Sequence, residues 1–122
     1  MPAKRIWLIW AIYTLLWTAA LVLPKTALEV EGLDEVISGY RVYIAKGVHV
    51  AAYAVWAVLT AVLPVPIRFR CLLVFLLMGH ATVTELIQEH VPGRSGHLHD
   101  VALDHLGVTL GVVASWRYWT RQ

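Results

Sequence analysis

Four apolar runs, separated by short polar or proline-bearing connections, organise the chain. The first covers residues 6–23, follows Lys4 and Arg5, and stops at Pro24. The second, residues 42–63, ends at Pro64-Val65-Pro66, where two prolines remove backbone donors and push the preceding residues out of helical conformation. The third covers residues 71–87, and the fourth, residues 98–119, follows a connection containing Pro92, Gly93 and Gly96. Each run approaches the roughly 20 residues that a helix needs to cross a bilayer. A single segment can satisfy its own backbone in hydrocarbon only as a helix. The pattern therefore predicts an all-α bundle of four transmembrane helices in one domain. The first run exceeds the roughly 7 to 15 apolar residues of a signal peptide, and a cleavage after Ala27 would put Lys25 at a small-residue position. It reads as a span.

Composition supports this reading. The chain is 59% hydrophobic and 15% charged, against roughly 45 to 50% and about 25% in soluble domains. Lys4 with Arg5, Arg68 with Arg70, and Arg117 with Arg121 fall in alternate connections, so the positive-inside rule predicts that both termini are cytoplasmic. Residues 25–41, with Glu29, Glu31, Asp34 and Glu35, are then outside, as is the connection 88–97. Leu28, Val30, Leu33, Val36 and Ile37 give the first of these an amphipathic character suited to a membrane surface. A net charge of +2, divided among clusters, excludes a basic stripe for nucleic acid. Cys71 is the single cysteine and can form no internal disulfide.

With that topology, the polar residues inside the spans gather at one end. Lys46 and His49 lie in the first turns of the second span, Glu85 and Gln88 in the last turns of the third, and Asp100 and Asp104 in the first turns of the fourth. Positions three, four and seven apart share a helical face. Lys46, His49 and Tyr53 form one stripe, Glu85 and Gln88 a second, and Asp100, Asp104, Gly107 and Gly111 a third whose glycines permit close helix approach. Ionisable residues in a bilayer face the bundle interior and pair, which points to one shared polar site at the extracytoplasmic side of the cell membrane.

The residues Lys46-Gly47-Val48-His49 with Tyr53, Glu85-Leu86-Ile87-Gln88, Val91-Pro92-Gly93-Arg94, Asp100, Asp104, Gly107 and Gly111 resemble the VanZ-like family of bacterial membrane proteins. That family's pattern is Lys-x-x-His-x-x-x-Tyr, then Glu-x-x-Gln and Pro-Gly-Arg, then Asp, Asn and two glycines. The resemblance extends from the second span to the fourth. Ala45 stands where an acidic residue often precedes the lysine, and Asp104 where the family usually has Asn. The family's name implies a link to resistance against the glycopeptide teicoplanin, but no established reaction.

The acid–base candidates are Glu85, His49 and Asp100, since desolvation and neighbouring cations tune such groups for proton transfer. The candidates for contact with a ligand are Lys46, Tyr53, Gln88, Arg94 and Asp104, with the Arg94 guanidinium suited to phosphate or carboxylate. Helix packing is the competing role for each of these residues, as it is for His80, Trp17 and Trp56. His97, His99 and His105 lack a spacing that presents two imidazoles on one face, so neither metal nor cofactor is expected. The leading expectation is a site for an anionic envelope lipid or lipid-linked precursor, with chemistry at the headgroup. A non-catalytic binding or interaction module is the second. The third, proton-coupled movement of a small solute, requires a homo-oligomer because four spans are few.

Overall fold

The computed structural model describes residues 1–23, 40–92 and 98–121. Among them, all regular structure is helical: α1 (Ala3–Val22), α2 (Arg41–Ala61), α3 (Ile67–Gln88), α4 (Leu98–Ala114) and α5 (Trp116–Thr120). The amphipathic stretch anticipated within 25–41 lies almost wholly outside the described residues.

Three helices are long and apolar enough to cross a membrane: Ala3–Val22, the Tyr43–Ala61 portion of α2, and Ile67–Gln88. Their outer faces suit lipid rather than water. Leu15, Phe75 and Leu86 are exposed on α1 and α3, and Val113 and Leu110 on α4, a density of bare apolar surface that soluble monomers avoid. α3 starts four residues before the apolar run at Cys71, directly after Pro66. It takes Arg68 and Arg70 into its first turn.

The fourth run differs from expectation. A continuous helix from 98 to 119 is predicted, but the observed helix stops at Ala114, and α5 resumes at Trp116. The break falls at Ser115, whose hydroxyl donates to the Gly111 carbonyl at 2.6 Å while its own N–H reaches the same oxygen at 3.0 Å. Such back-bonding competes with the regular ladder and bends helices. The 17 residues of α4 span about 25 Å at about 1.5 Å per residue.

Inter-helix contacts fix the packing. α1 runs antiparallel to α2: the Trp10 indole donates to Thr60 Oγ1 at 2.9 Å near one end, and Trp17 packs on His49 near the other. α2 and α4 are parallel, with Gly107 against Val50 and Gly111 against Ala54. A Cβ on Gly107 would meet the Val50 carbonyl oxygen and come within 3.0 Å of Tyr53 Cβ; one on Gly111 would meet the Ala54 carbonyl oxygen and come within 2.7 Å of Ala57 Cβ. Only a residue without Cβ lets two backbones approach so closely. The core is centred on α2: Tyr53, Trp56 and Ala57 are buried with Leu21, Leu77, Ala81 and Val108. Trp10, Tyr13 and Trp17 close over it from α1.

Candidate functional site

This packing brings the start of α2, the end of α3, the start of α4 and the end of α1 to one end of the bundle. The parallel seating of α4 on α2 sets His49 against Asp104. His49 Nδ1 lies 3.0 Å from Asp104 Oδ1, with the His49 side chain 20% exposed and that of Asp104 2%. Two glycines below this contact hold the helices at the required distance. An ionised carboxylate accepts from Nδ1–H and so fixes the imidazole tautomer, which leaves Nε2 as a proton acceptor. The same division of roles, with a buried acid orienting a more accessible histidine, recurs in acid–base catalysis.

Above the pair, toward the end of the bundle, Lys46 Nζ lies 3.5 Å from His99 Nε2. That nitrogen also lies 3.5 Å from Asp100 Oδ1. Asp100 Oδ1 is buried and has no hydrogen-bond partner among the described residues. Lys46, His99 and Asp100 thus form the more open layer, and His49 with Asp104 the deeper one.

A third polar layer lies below. The Tyr53 hydroxyl is 3.0 Å from His80 Nδ1, and His80 Nε2 is 2.9 Å from Thr18 Oγ1. This chain ties α2, α3 and α1 together through one imidazole. Trp17 stands edge-on to both His49 and Tyr53, at centroid distances of 5.4 and 6.0 Å. Trp56 meets the His80 ring edge-on at 4.8 Å. The floor of the site is therefore aromatic and closed.

Glu85 and Gln88 are buried at the same end, 3% and 5% exposed. The Gln88 amide nitrogen donates to the Leu21 carbonyl at 2.9 Å, satisfying one of the acceptors that the last turn of α1 leaves open. That places Gln88 as a tie between α3 and α1. Arg94, with Gly93, Ser95 and His97, lies outside the described residues. Of the anticipated residues, Lys46, His49, Tyr53, Glu85, Gln88, Asp100 and Asp104 therefore share one end of the bundle.

His80 has the helix-packing role expected of it, but its partners were not legible: it is the hub of the Thr18–His80–Tyr53 chain. The signal for this was weak, because Thr18 is 62 positions away and sits in an otherwise apolar helix. His105, on the far side of α4, reaches the Met78 carbonyl at 3.2 Å. Among the described residues, no group of three His, Cys, Asp or Glu side chains is arranged to hold a metal ion. Compared with protein-family models, curated proteins and solved structures, the chain matches none.

Proposed function

We propose that this chain is a VanZ-like membrane protein of four spans with cytoplasmic termini, whose polar end faces the extracytoplasmic side and binds the anionic head of an envelope lipid or lipid-linked precursor. The observation that carries this reading is the contact between His49 and the buried Asp104, beneath a layer containing Lys46. A carboxylate this deep in an apolar helix is costly unless it is paired. Pairing it through Nδ1 with a partly exposed histidine leaves Nε2 as a proton acceptor.

In this reading, Lys46 and Arg94 hold the anion, and His49 takes or returns a proton at Nε2 while Asp104 keeps the imidazole oriented. Glu85 contributes a second acid beneath the headgroup, and Tyr53, through His80, fixes the floor. The reaction class this suits is acid–base attack on a phosphoester, acyl or glycosyl bond at the membrane surface, with water as the nucleophile. α4 reaches the far side of the bilayer with the help of α5, the two together covering residues 98–120.

Lipid mass spectrometry tests the proposal on wild type, His49→Gln and Arg94→Ala in nanodiscs incubated with a bacterial envelope lipid extract. Wild type should convert an anionic species, His49→Gln should retain that species unchanged, and Arg94→Ala should lose it. The same lipid held unchanged by both wild type and His49→Gln would reduce the site to a binding module. Absence of any retained anionic species on wild type would overturn the proposal.

A further inference from the structure

The end of the bundle opposite His49 carries two adjoining cavities that the polar site does not use. One is an apolar groove of about 340 Å³ between α3 and the α4–α5 bend, lined by Ile67, Cys71, Val74, Val112, Trp116 and Trp119. Ile67, Cys71 and Val74 are spaced four and three apart, so they form a single stripe up α3. The other is a cleft of about 380 Å³ lined by Val65, Pro66, Ile67, Arg70 and Arg121. Ile67 borders both, so the cleft lies next to the foot of the groove.

The two have opposite chemistry. The groove wall is nearly all hydrocarbon and aromatic ring, open to the surrounding bilayer. The cleft has two guanidinium groups and no acid in its lining. Arg70 is held in place: Nε donates to the Leu63 carbonyl at 3.1 Å and one terminal nitrogen to the Tyr118 carbonyl at 2.6 Å. These bonds use two of its five N–H donors and fix the guanidinium plane. The remaining donors have no protein partner among the described residues. Arg121 is exposed and belongs to the same wall. Trp116 and Trp119 lie at the junction, where amphipathic rings favour the headgroup boundary.

We propose that this pair of cavities is a binding site for a phospholipid with an anionic headgroup, its phosphate on Arg70 and Arg121 and one acyl chain in the groove along Ile67, Cys71 and Val74. The occupant follows from the charge of the cleft and its adjacency to the groove. A cationic cleft attracts an anion, guanidinium matches phosphate oxygens, and a groove beside it toward the bilayer centre suits the attached chain. A soluble anion would leave the groove without a role. A zwitterionic lipid would bring a second cation against Arg121. The site is independent of the polar end, because none of its lining residues touches His49, Asp104 or Lys46.

Native mass spectrometry of the intact protein, released from detergent with equal phosphatidylglycerol and phosphatidylcholine, tests this. Wild type should retain one phosphatidylglycerol about tenfold more than phosphatidylcholine. Arg121→Gln should reduce that retention about tenfold, as should Cys71→Trp, which fills the groove at a position exposed to lipid. Arg70 is avoided as a first variant because it also secures the ends of α2 and α5. In the Lys46→Gln background, which weakens the proposed headgroup site at the other end, the losses caused by Arg121→Gln and Cys71→Trp should persist, which separates this site from that one. Equal retention of the two lipids would overturn the proposal. So would retention in the Lys46→Gln background that survives either Arg121→Gln or Cys71→Trp.

Discussion

The end of the bundle holding His49 has several polar side chains paired with each other across helices; at the opposite end, apart from Trp10 on Thr60 and Trp119 on Ser115, polar side chains meet backbone. The first end has His49 with Asp104, Lys46 with His99, and Tyr53 with His80 and Thr18. The second has Arg70 on the Leu63 and Tyr118 carbonyls and Ser115 on the Gly111 carbonyl. The backbone contacts answer a general requirement, since helix ends leave acceptors unsatisfied and lipid offers no water. Nothing in the backbone demands the side-chain pairs. Apolar residues of similar size would pack α2 against α4 at less electrostatic expense. Under the proposed function, this contrast is what a binding site at the His49 end would produce. Gln88, Thr84 and His90 meet backbone there too, Gln88 closing the end of α1.

The largest effect should come from the contact beneath both layers of the polar end. Gly111→Leu forces a side chain into the Ala54 carbonyl and Ala57, and should destabilise the protein by about 3 kcal/mol or prevent folding, as overpacking does. Gly47→Ala is the matched control. It meets open space and should stabilise α2 by roughly 0.5 to 1 kcal/mol. Thermal unfolding followed by circular dichroism in detergent reads both, and equal behaviour would remove the close α2–α4 contact.

An intermediate effect is expected at the pair itself. Asp104→Leu removes an acid and leaves His49 without its partner, so stability should change by no more than about 1 to 2 kcal/mol, in line with hydrogen bonds inside membranes. Its consequence for lipid conversion should be far larger, a near-complete loss. A variant that converts lipid normally would make the pair a packing device and erase the contrast between the two ends.

The smallest effect is expected at His80. His80→Phe keeps the ring against Trp56 but severs the links to Tyr53 and Thr18. Stability should fall by roughly 0.6 to 1 kcal/mol. In a double-mutant cycle with Tyr53→Phe, most of that loss should disappear, because the second change removes the same bond. Fully additive losses would show that the chain is not a unit.

The sequence carries the helices through proline placement and uninterrupted apolar runs, and it carries the polar end through residue phase along each helix. Pro64 and Pro66 bound α2 and α3, and Asp104, Gly107 and Gly111 share one face because of their spacing alone. Two features escape such reasoning. The break at Ser115 is hidden because Trp116 to Trp119 continue the run, and no proline or glycine marks it. The Thr18–His80–Tyr53 chain is hidden because local spacing cannot reveal which faces of three separate helices meet. Arg94 shows the remaining gap: its position beside Gly93 suggests a role at the headgroup, and it lies outside the described residues.

The parallel pairing of α2 with α4 has a consequence for the order of assembly. These neighbours in space are separated in the chain by all of α3, so during synthesis α2 enters the bilayer well before the glycines that will cover Val50 and Ala54 exist. Until α4 arrives, His49 has no carboxylate and Lys46 no His99. The polar end is therefore incomplete until α4 is made, and an unpaired Lys46 or His49 in lipid marks the unfinished molecule.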